Sequence, residues 1–127
     1  MSQNQRQYFL VGATAYEIDG AKVDCYPEFI SKGIWEMYYG SGQMPKYDER
    51  LKQIQPGDRI AIKTMAGRGS EDIYIRAIGV VKHIQGTLVV VDWKLTGLNR
   101  KVESKGCYGT IHGPYLKDNW IRKVFSL

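Results

Sequence analysis

A tryptophan behind a glycine is the feature of this sequence best suited to binding a ligand. Trp35 ends the run Gly33-Ile34-Trp35, and the aromatic residues Tyr38 and Tyr39 follow closely. Because glycine frees the backbone, we predict that Trp35 lies on a connection and presents one ring face to a ligand. Stacking of a nucleobase on such a ring contributes about 1–3 kcal/mol. The alternative is a core position, since most tryptophans are well buried.

Acid–base chemistry has candidate residues but no recognisable arrangement. The candidates are Glu36, Asp58, Asp92, His83 and His112. None is paired with a nucleophile at a recognisable spacing, and Asp58 is more simply interpreted as a turn residue. Cys25 and Cys107 form no CxxC pair, and their spacing to the histidines matches no zinc pattern. We therefore expect no catalytic residue, metal or cofactor in this chain.

Positive charge is the clearest property of the composition. The chain has 18 Lys and Arg against 13 Asp and Glu, a net charge of +5 and a pI near 9.2. This balance favours a polyanionic partner, and the spread of the charges suits a folded surface better than a basic tail. The residues expected to hold phosphates are Arg59, Lys63, Arg68, Arg76 and Lys94. The alternative for each of them is a solvated surface charge.

Length and hydropathy indicate one globular domain. The chain has 127 residues, of which 43% are hydrophobic and 24% charged, which is ordinary for a single globular domain. Residues 1–7 are polar and are expected to form a flexible tail before a domain at 8–127. No apolar stretch suits a signal peptide or a membrane span. We expect a cytoplasmic protein without a membrane partner.

The first half of the chain predicts one buried strand and two short helices. Tyr8–Ala13 is rich in aromatic and branched residues, as buried strands are. A polar connection at Thr14–Val23 follows, and Pro27 then begins a helix that Gly33 ends. Pro45–Gln55 has the apolar spacing of a second helix.

The second half predicts a β-rich region. A turn at Gln55–Asp58 leads into the strand Arg59–Lys63, and a long strand at Ile73–Ile84 is expected to bend at Gly79. Thr87–Trp93 is its expected hairpin partner. The secondary structure of residues 102–111 is ambiguous from the sequence. A turn is predicted at 112–115, and a closing strand or short helix at 120–125. This order predicts an α+β domain with a mixed, barrel-like sheet.

The order of these motifs resembles the PUA-like superfamily, and within it the EVE and YTH domains. The resemblance depends on the aromatic first strand Tyr8–Val11, on Gly33-Ile34-Trp35, on the glycine of Ile78–Val81 and on Asp92-Trp93. The run Pro56–Lys63 also resembles the amino-terminal domain of some McrB-type AAA+ restriction GTPases. The resemblance implies a PUA-like curved mixed sheet or pseudo-barrel, with short helices inserted after the first strand.

The resemblance also implies a function. It predicts a reader that accommodates a flipped, methylated base in an aromatic pocket, with DNA preferred to RNA as partner. An AAA+ GTPase and a nuclease would act in the same restriction or antiviral defence system. The implied pocket residues are Ala13, Thr14, Tyr16, Ile34, Trp35, Glu36, Tyr38, Tyr39, His83 and Trp93. Thr14 occupies the position where YTH domains often carry an asparagine that reads the base edge.

Several expectations remain to be compared with the structure. No residue clearly matches the second cage tryptophan of YTH domains, and His83 or a tyrosine could supply that wall. If the phosphate-binding cations form one face, that face is expected to border the opening near Trp35, and cations scattered with no concentration at the pocket would argue against nucleic acid. Trp93 and Trp120 are expected to be more buried than Trp35. The alternatives are an RNA-binding PUA-like domain, a module that binds a small ligand or a protein through the same pocket, and an enzyme.

Overall fold

A strongly curled sheet with short helices forms the described part of the chain. The computed structural model describes residues 6–16, with only the backbone at position 16, and residues 20–37, 45–67 and 69–127. The strands are β1 (Tyr8–Val11), β2 (Thr14–Tyr16), β3 (Lys22–Asp24), β4 (Ile34–Glu36), β5 (Arg59–Met65), β6 (Asp72–Gln85), β7 (Leu88–Leu95), β8 (Arg100–Glu103) and β9 (Ile111–Tyr115). The helices are α1 (Tyr26–Lys32), α2 (Pro45–Lys52) and α3 (Asn119–Phe125).

The sheet mixes one parallel pair with antiparallel pairs. Its strand order is β4-β7-β6-β5-β1-β9, and β8 pairs with the first half of β6. Strands β1 and β5 run parallel, with Tyr8 opposite Arg59 and Val11 opposite Ile62, so that both strands begin and end together. The hairpin β2–β3 is separate. The α+β class and the curved mixed sheet predicted from the sequence are confirmed. Within the described ranges, no helix is long and apolar enough to cross a membrane.

Strand β1 is buried on both faces and alternates between two cores. Tyr8 and Leu10 belong to the core that contains the buried face of α3. Phe9 and Val11 belong to the core that contains buried residues of α1 and α2. Because successive strand residues point to opposite faces, a strand between two cores is apolar throughout. This is why the sequence identified it as a buried strand.

Helix α1 has the ends that the sequence predicts. Pro27 lies in the first turn, where its missing N–H costs no hydrogen bond. Gly33 ends the helix in the left-handed conformation with a φ of 67°. The residues that follow are not a connection, however. Ile34–Glu36 pair with β7, and Trp35 lies opposite Val89.

Three segments differ from the sequence-based predictions. The predicted polar connection contains β2 and β3, whose polar composition carries no strand pattern. The predicted turn at 112–115 lies in β9, and Pro114 is tolerated there because β9 is the last strand of the sheet path and an edge position needs no N–H. The closing segment is helix α3, because the Asp118 carboxylate accepts a hydrogen bond from the Ile121 N–H at 2.7 Å and caps it.

Gly79 of β6 packs closely against β7. The register of the two strands shifts between Ile78 and Gly79, which confirms the predicted irregularity. A Cβ atom at this position would lie 2.5 Å from Cγ1 of Val91 and 2.9 Å from the Asp92 carbonyl oxygen. No side chain fits there without moving backbone.

Gly79→Ala is therefore expected to lower the free energy of unfolding by about 1–3 kcal/mol. Urea denaturation measures the loss. Gly12→Ala is the matched control, because its added methyl group would meet no atom closer than 3.8 Å. Equal midpoints for the two variants would contradict the expected overpacking at Gly79.

Candidate nucleic-acid interface

A cleft of about 430 Å³ opens where β1 and β5 end, and we call it the Lys63 cleft. The parallel register brings the ends of the two strands together, and the Gly12 N–H donates to the Thr110 carbonyl at 2.8 Å. Loop residues before β9 close the other side. The cleft is lined by Gly12, Ala13, Thr14, Lys22, Tyr47, Lys63, Thr64, Met65, Tyr108, Gly109 and Thr110.

Lys63 is a buried amine on the wall of this cleft. Only 5% of the residue is exposed, and Nζ donates a hydrogen bond to the Gly109 carbonyl at 2.5 Å. Burial lowers the pKa of Lys63 to about 8. The pairing of β5 with β6 shifts register between Ile62 and Lys63. Irregularities of this kind re-aim side chains, and here one brings the amine to the cleft.

The surroundings of Lys63 are electropositive. Of the described residues that line the cleft, two are lysines and none is acidic. Burial, followed by the positive charges of Lys63 and Arg50, lowers the pKa of His112 to about 4. Its neutral ring accepts a hydrogen bond at Nε2 from the Gly109 N–H at 2.8 Å. The cleft therefore favours a ligand that offers acceptors or negative charge.

Tyr108 supplies an accessible aromatic ring. It is 43% exposed, whereas Tyr47 on the same cleft is buried. The Tyr108 hydroxyl accepts from Ser104 Oγ at 2.7 Å and donates to the Ser70 carbonyl at 3.1 Å. These bonds fix the ring beside the opening of the cleft. An aromatic face held in this way can support a flat ligand.

Trp35 does not have the accessible ring face that the sequence predicted. It is 0% exposed, and Nε1 donates to the Gly12 carbonyl at 2.8 Å. The prediction is wrong because Trp35 lies on β4 and turns into the core. The expected order of burial is wrong as well, since Trp93 is only half-buried. Trp35 supports the backbone beneath the Lys63 cleft and does not line it.

The other implied pocket residues divide into three groups. Ala13 and Thr14 line the Lys63 cleft, without Trp35 beside them in its lining. The remaining described ones lie elsewhere: Ile34, Glu36, His83 and Trp93. Glu36 accepts from the Thr87 hydroxyl at 3.3 Å, and Trp93 donates to the Phe29 carbonyl at 3.0 Å. Tyr38, Tyr39 and the Tyr16 side chain lie outside the described residues.

A second cleft lies where β1 and β5 begin, and we call it the Arg59 cleft. Its volume is about 570 Å³. Tyr8 and Ile78 contribute to an apolar floor, together with Ile121 and Phe125 of α3. The cationic side chains that line it are Arg6, Arg59, Lys94, Lys117 and Arg122.

The cations predicted to bind phosphate do not form one face. Arg59 and Lys94 line the Arg59 cleft, whereas Lys63 lies in the other cleft. Arg76 stacks over the Tyr26 ring at 4.0 Å and pairs with Asp24 at 3.5 Å. Arg68 lies outside the described residues. A single face near Trp35 is therefore not formed by the described cations. Arg59 and Lys63 lie on β5 but line different clefts, and Arg76 and Lys94 lie on β6 and β7.

The acidic candidates have structural partners. Asp58 is buried and accepts hydrogen bonds from the Gln7 N–H at 3.1 Å and the Gln55 N–H at 2.9 Å, as expected of a turn residue. These bonds also anchor Gln7, which the sequence assigned to the tail. Lys94 Nζ lies 2.6 Å from Oδ2 of Asp92, and this hydrogen bond, together with the positive charge of Lys94, lowers the pKa of Asp92. Among the described residues, no three His, Cys, Asp or Glu gather as metal ligands would.

Several residues of the clefts were not identified from the sequence. In the Lys63 cleft these are Lys22, Tyr47, Tyr108 and Thr110, and in the Arg59 cleft Arg6, Lys117 and Arg122. Tyr108 had a usable signal, because it lies between Gly106 and Gly109 much as Trp35 lies beside Gly33. The cations had none beyond their charge. Comparison of the chain with protein-family models, curated proteins and solved structures finds no match.

Proposed function

We propose that this domain is a nucleic-acid reader that accommodates an extruded, methylated base in the Lys63 cleft. The observation that carries the proposal is the composition of that cleft, which combines a buried amine, hydroxyl groups and an accessible aromatic ring, with no acidic residue among the part of its lining that the structure describes. Its volume of about 430 Å³ lies within the range of ligand pockets. The fold in this proposal is PUA-like, of the EVE and YTH kind.

Three side chains of the cleft, those of Tyr108, Lys63 and Thr14, would contact the base in this proposal. Extruding a base costs a few kcal/mol, which contacts in the pocket must offset. Tyr108 offers a ring for stacking, and Lys63 and Thr14 offer donors to the base edge. Trp35 acts indirectly, because its hydrogen bond to Gly12 fixes the backbone beside Thr14. This differs from the stacking role that the sequence implied for Trp35.

The proposed partner is DNA, and the proposed context is a modification-dependent restriction system. In that context the domain selects the site, and an AAA+ GTPase with a nuclease performs the chemistry. The basic composition, with a net charge of +5, supports a polyanionic partner. The alternatives are RNA, a small ligand and a protein. Salt separates nucleic acid of either kind from an apolar ligand, and the matched DNA and RNA oligonucleotides separate DNA from RNA. Binding through phosphates weakens steeply with salt, whereas apolar ligand binding responds little.

Tyr108→Ala is expected to weaken binding of the preferred base by about 1–3 kcal/mol, because the stacking surface is lost. Fluorescence anisotropy with matched DNA and RNA dodecamers measures this, each with one methylated adenine, one methylated cytosine or no modification. Tyr108→Phe is the matched comparison, since it keeps the ring and removes only the hydroxyl with its two hydrogen bonds; it should therefore weaken binding less than Tyr108→Ala does. Thermal melting confirms that both variants fold.

Three outcomes would count against the proposal. The parent could bind methylated and unmodified oligonucleotides equally, which would remove base reading. Tyr108→Ala could bind as well as the parent, which would remove the ring from the site. An oligonucleotide affinity that hardly changes with salt would mean that phosphates contribute little to binding, and would favour a small apolar ligand as the natural partner.

A further inference from the structure

Among the described residues that line the Arg59 cleft, five have cationic side chains and none has an acidic side chain. The cationic residues are Arg6, Arg59, Lys94, Lys117 and Arg122. Concentration of one charge sign in a concave surface raises the local concentration of ions of the opposite sign. The composition of the cleft therefore indicates an anionic occupant.

Two parts of the fold build this cleft. Tyr8 of β1 lies opposite Arg59 of β5, so both strands begin at the cleft. Helix α3 lies beside them, where Ile121 and Phe125 contribute to the floor and Arg122 to the lining. Tyr8 and Phe125 pack edge to face with ring centroids 4.9 Å apart. The floor of the cleft is thus part of the packed core, and the core fixes the position of the cleft.

The charges in the cleft are poorly balanced by the protein itself. Among the described residues, Lys94 alone of the five forms an ion pair, with Asp92 at 2.6 Å. The charge of Asp58 acts on Arg59 and partly offsets the lowering of its pKa, but the Asp58 oxygens bind the Gln7 and Gln55 N–H groups and form no ion pair with Arg59. Burial, followed by the charge of Arg6, lowers the pKa of Arg59. An anion in the cleft would relieve this repulsion.

The floor decides which part of an anionic ligand fits. Tyr8 and Phe125 are 5% and 8% exposed, so almost no ring face is available for stacking a base. Ile78 and Ile121 are 2% and 1% exposed, so the floor offers little aliphatic surface either. The guanidinium and ammonium groups around it suit phosphates.

We propose that the Arg59 cleft binds backbone phosphates of the same nucleic acid whose base enters the Lys63 cleft. This inference depends on the proposed function. Arg59 and Lys63 are four residues apart on β5, so their Cα atoms are about 13 Å apart along the strand. That rise corresponds to roughly four base-pair steps of a duplex, and a dodecamer is longer than this. The Lys63 cleft would select the base, and the Arg59 cleft would position the chain without regard to sequence.

The test compares two double variants that change the net charge equally. Arg59→Gln with Arg122→Gln neutralises the cleft. Lys32→Gln with Lys52→Gln neutralises exposed lysines of α1 and α2, which pair with Glu28 and Glu49. Each is titrated with a methylated dodecamer, which can reach both clefts, and with a methylated trinucleotide, which fills only the Lys63 cleft.

The cleft variant should bind the dodecamer roughly ten- to a hundredfold more weakly, and its salt slope should flatten by about two units. Its affinity for the trinucleotide and its preference for the methylated base should not change. The control variant should keep the affinity and most of the slope of the parent. Should Arg59→Gln disturb the fold, Lys117→Gln with Arg122→Gln changes only exposed residues and gives the same test.

The possible failures are distinguishable. Equal dodecamer affinity and equal slopes for the two double variants would overturn this inference and leave the base reader intact. An equal loss for dodecamer and trinucleotide would also overturn it, because the two clefts would then not be separate sites. A parent protein that binds no oligonucleotide would overturn both this inference and the proposed function.

Discussion

Trp35→Ala is expected to lower the free energy of unfolding by about 3–5 kcal/mol. The side chain is 0% exposed and shares a core cluster with Phe9, Phe29 and Val89. Alanine would leave a cavity there and would also remove the donor to the Gly12 carbonyl. Chemical denaturation of parent and variant measures the loss directly.

Trp35→Phe separates the two contributions. It retains most of the apolar ring but leaves the half-buried Gly12 carbonyl without this donor; a lost hydrogen bond of this kind costs about 0.5–1.5 kcal/mol. Its stability should therefore lie between those of the parent and Trp35→Ala. A Trp35→Ala variant as stable as the parent, with reduced oligonucleotide affinity, would instead make the ring a binding surface. That result would contradict the burial described above.

Local signals explain which elements of the fold could be predicted. Helix α1 was predictable because Pro27 and Gly33 mark its two ends within the sequence itself. The β6–β7 hairpin was predictable because the turn at Gln85-Gly86 separates two apolar runs. Strand β9 was not, because Pro114 argues locally against a strand. Only its place at the sheet edge, which depends on distant pairing, makes that proline acceptable.

The candidate site was only partly predictable for the same reason. The charge of Arg59, Lys63 and Lys94 was visible in the sequence, but their division between two clefts depends on the parallel pairing of β1 with β5. Trp35 and Tyr108 carry similar local signals, since each aromatic ring lies near glycine. Pairing of β4 with β7 buries Trp35, whereas Tyr108 lies in a loop and stays exposed. Sequence alone does not contain that difference.

Lys63 is expected to make stability depend on pH. Burial lowers its pKa from 10.5 to about 8 in the folded protein. Below about pH 8 both states hold the proton, and the full penalty of burying the charge is present. Between about pH 8 and 10.5 the unfolded chain keeps a proton that the folded protein has lost, so the free energy of unfolding rises with pH. The total rise is on the order of 3 kcal/mol.

Comparison with Lys63→Met isolates this rise from other titrations. Burial also raises the pKa values of Cys107 and Tyr115, so the parent alone would report several groups. The stability of the parent minus that of Lys63→Met should increase from about pH 7 to 10, whereas the same difference for Lys52→Met, an exposed lysine, should stay flat. Affinity of the parent for the methylated dodecamer should fall as pH passes about 8, because Lys63 loses its positive charge. A difference between parent and Lys63→Met that does not change with pH would mean that the amine titrates normally and is not buried.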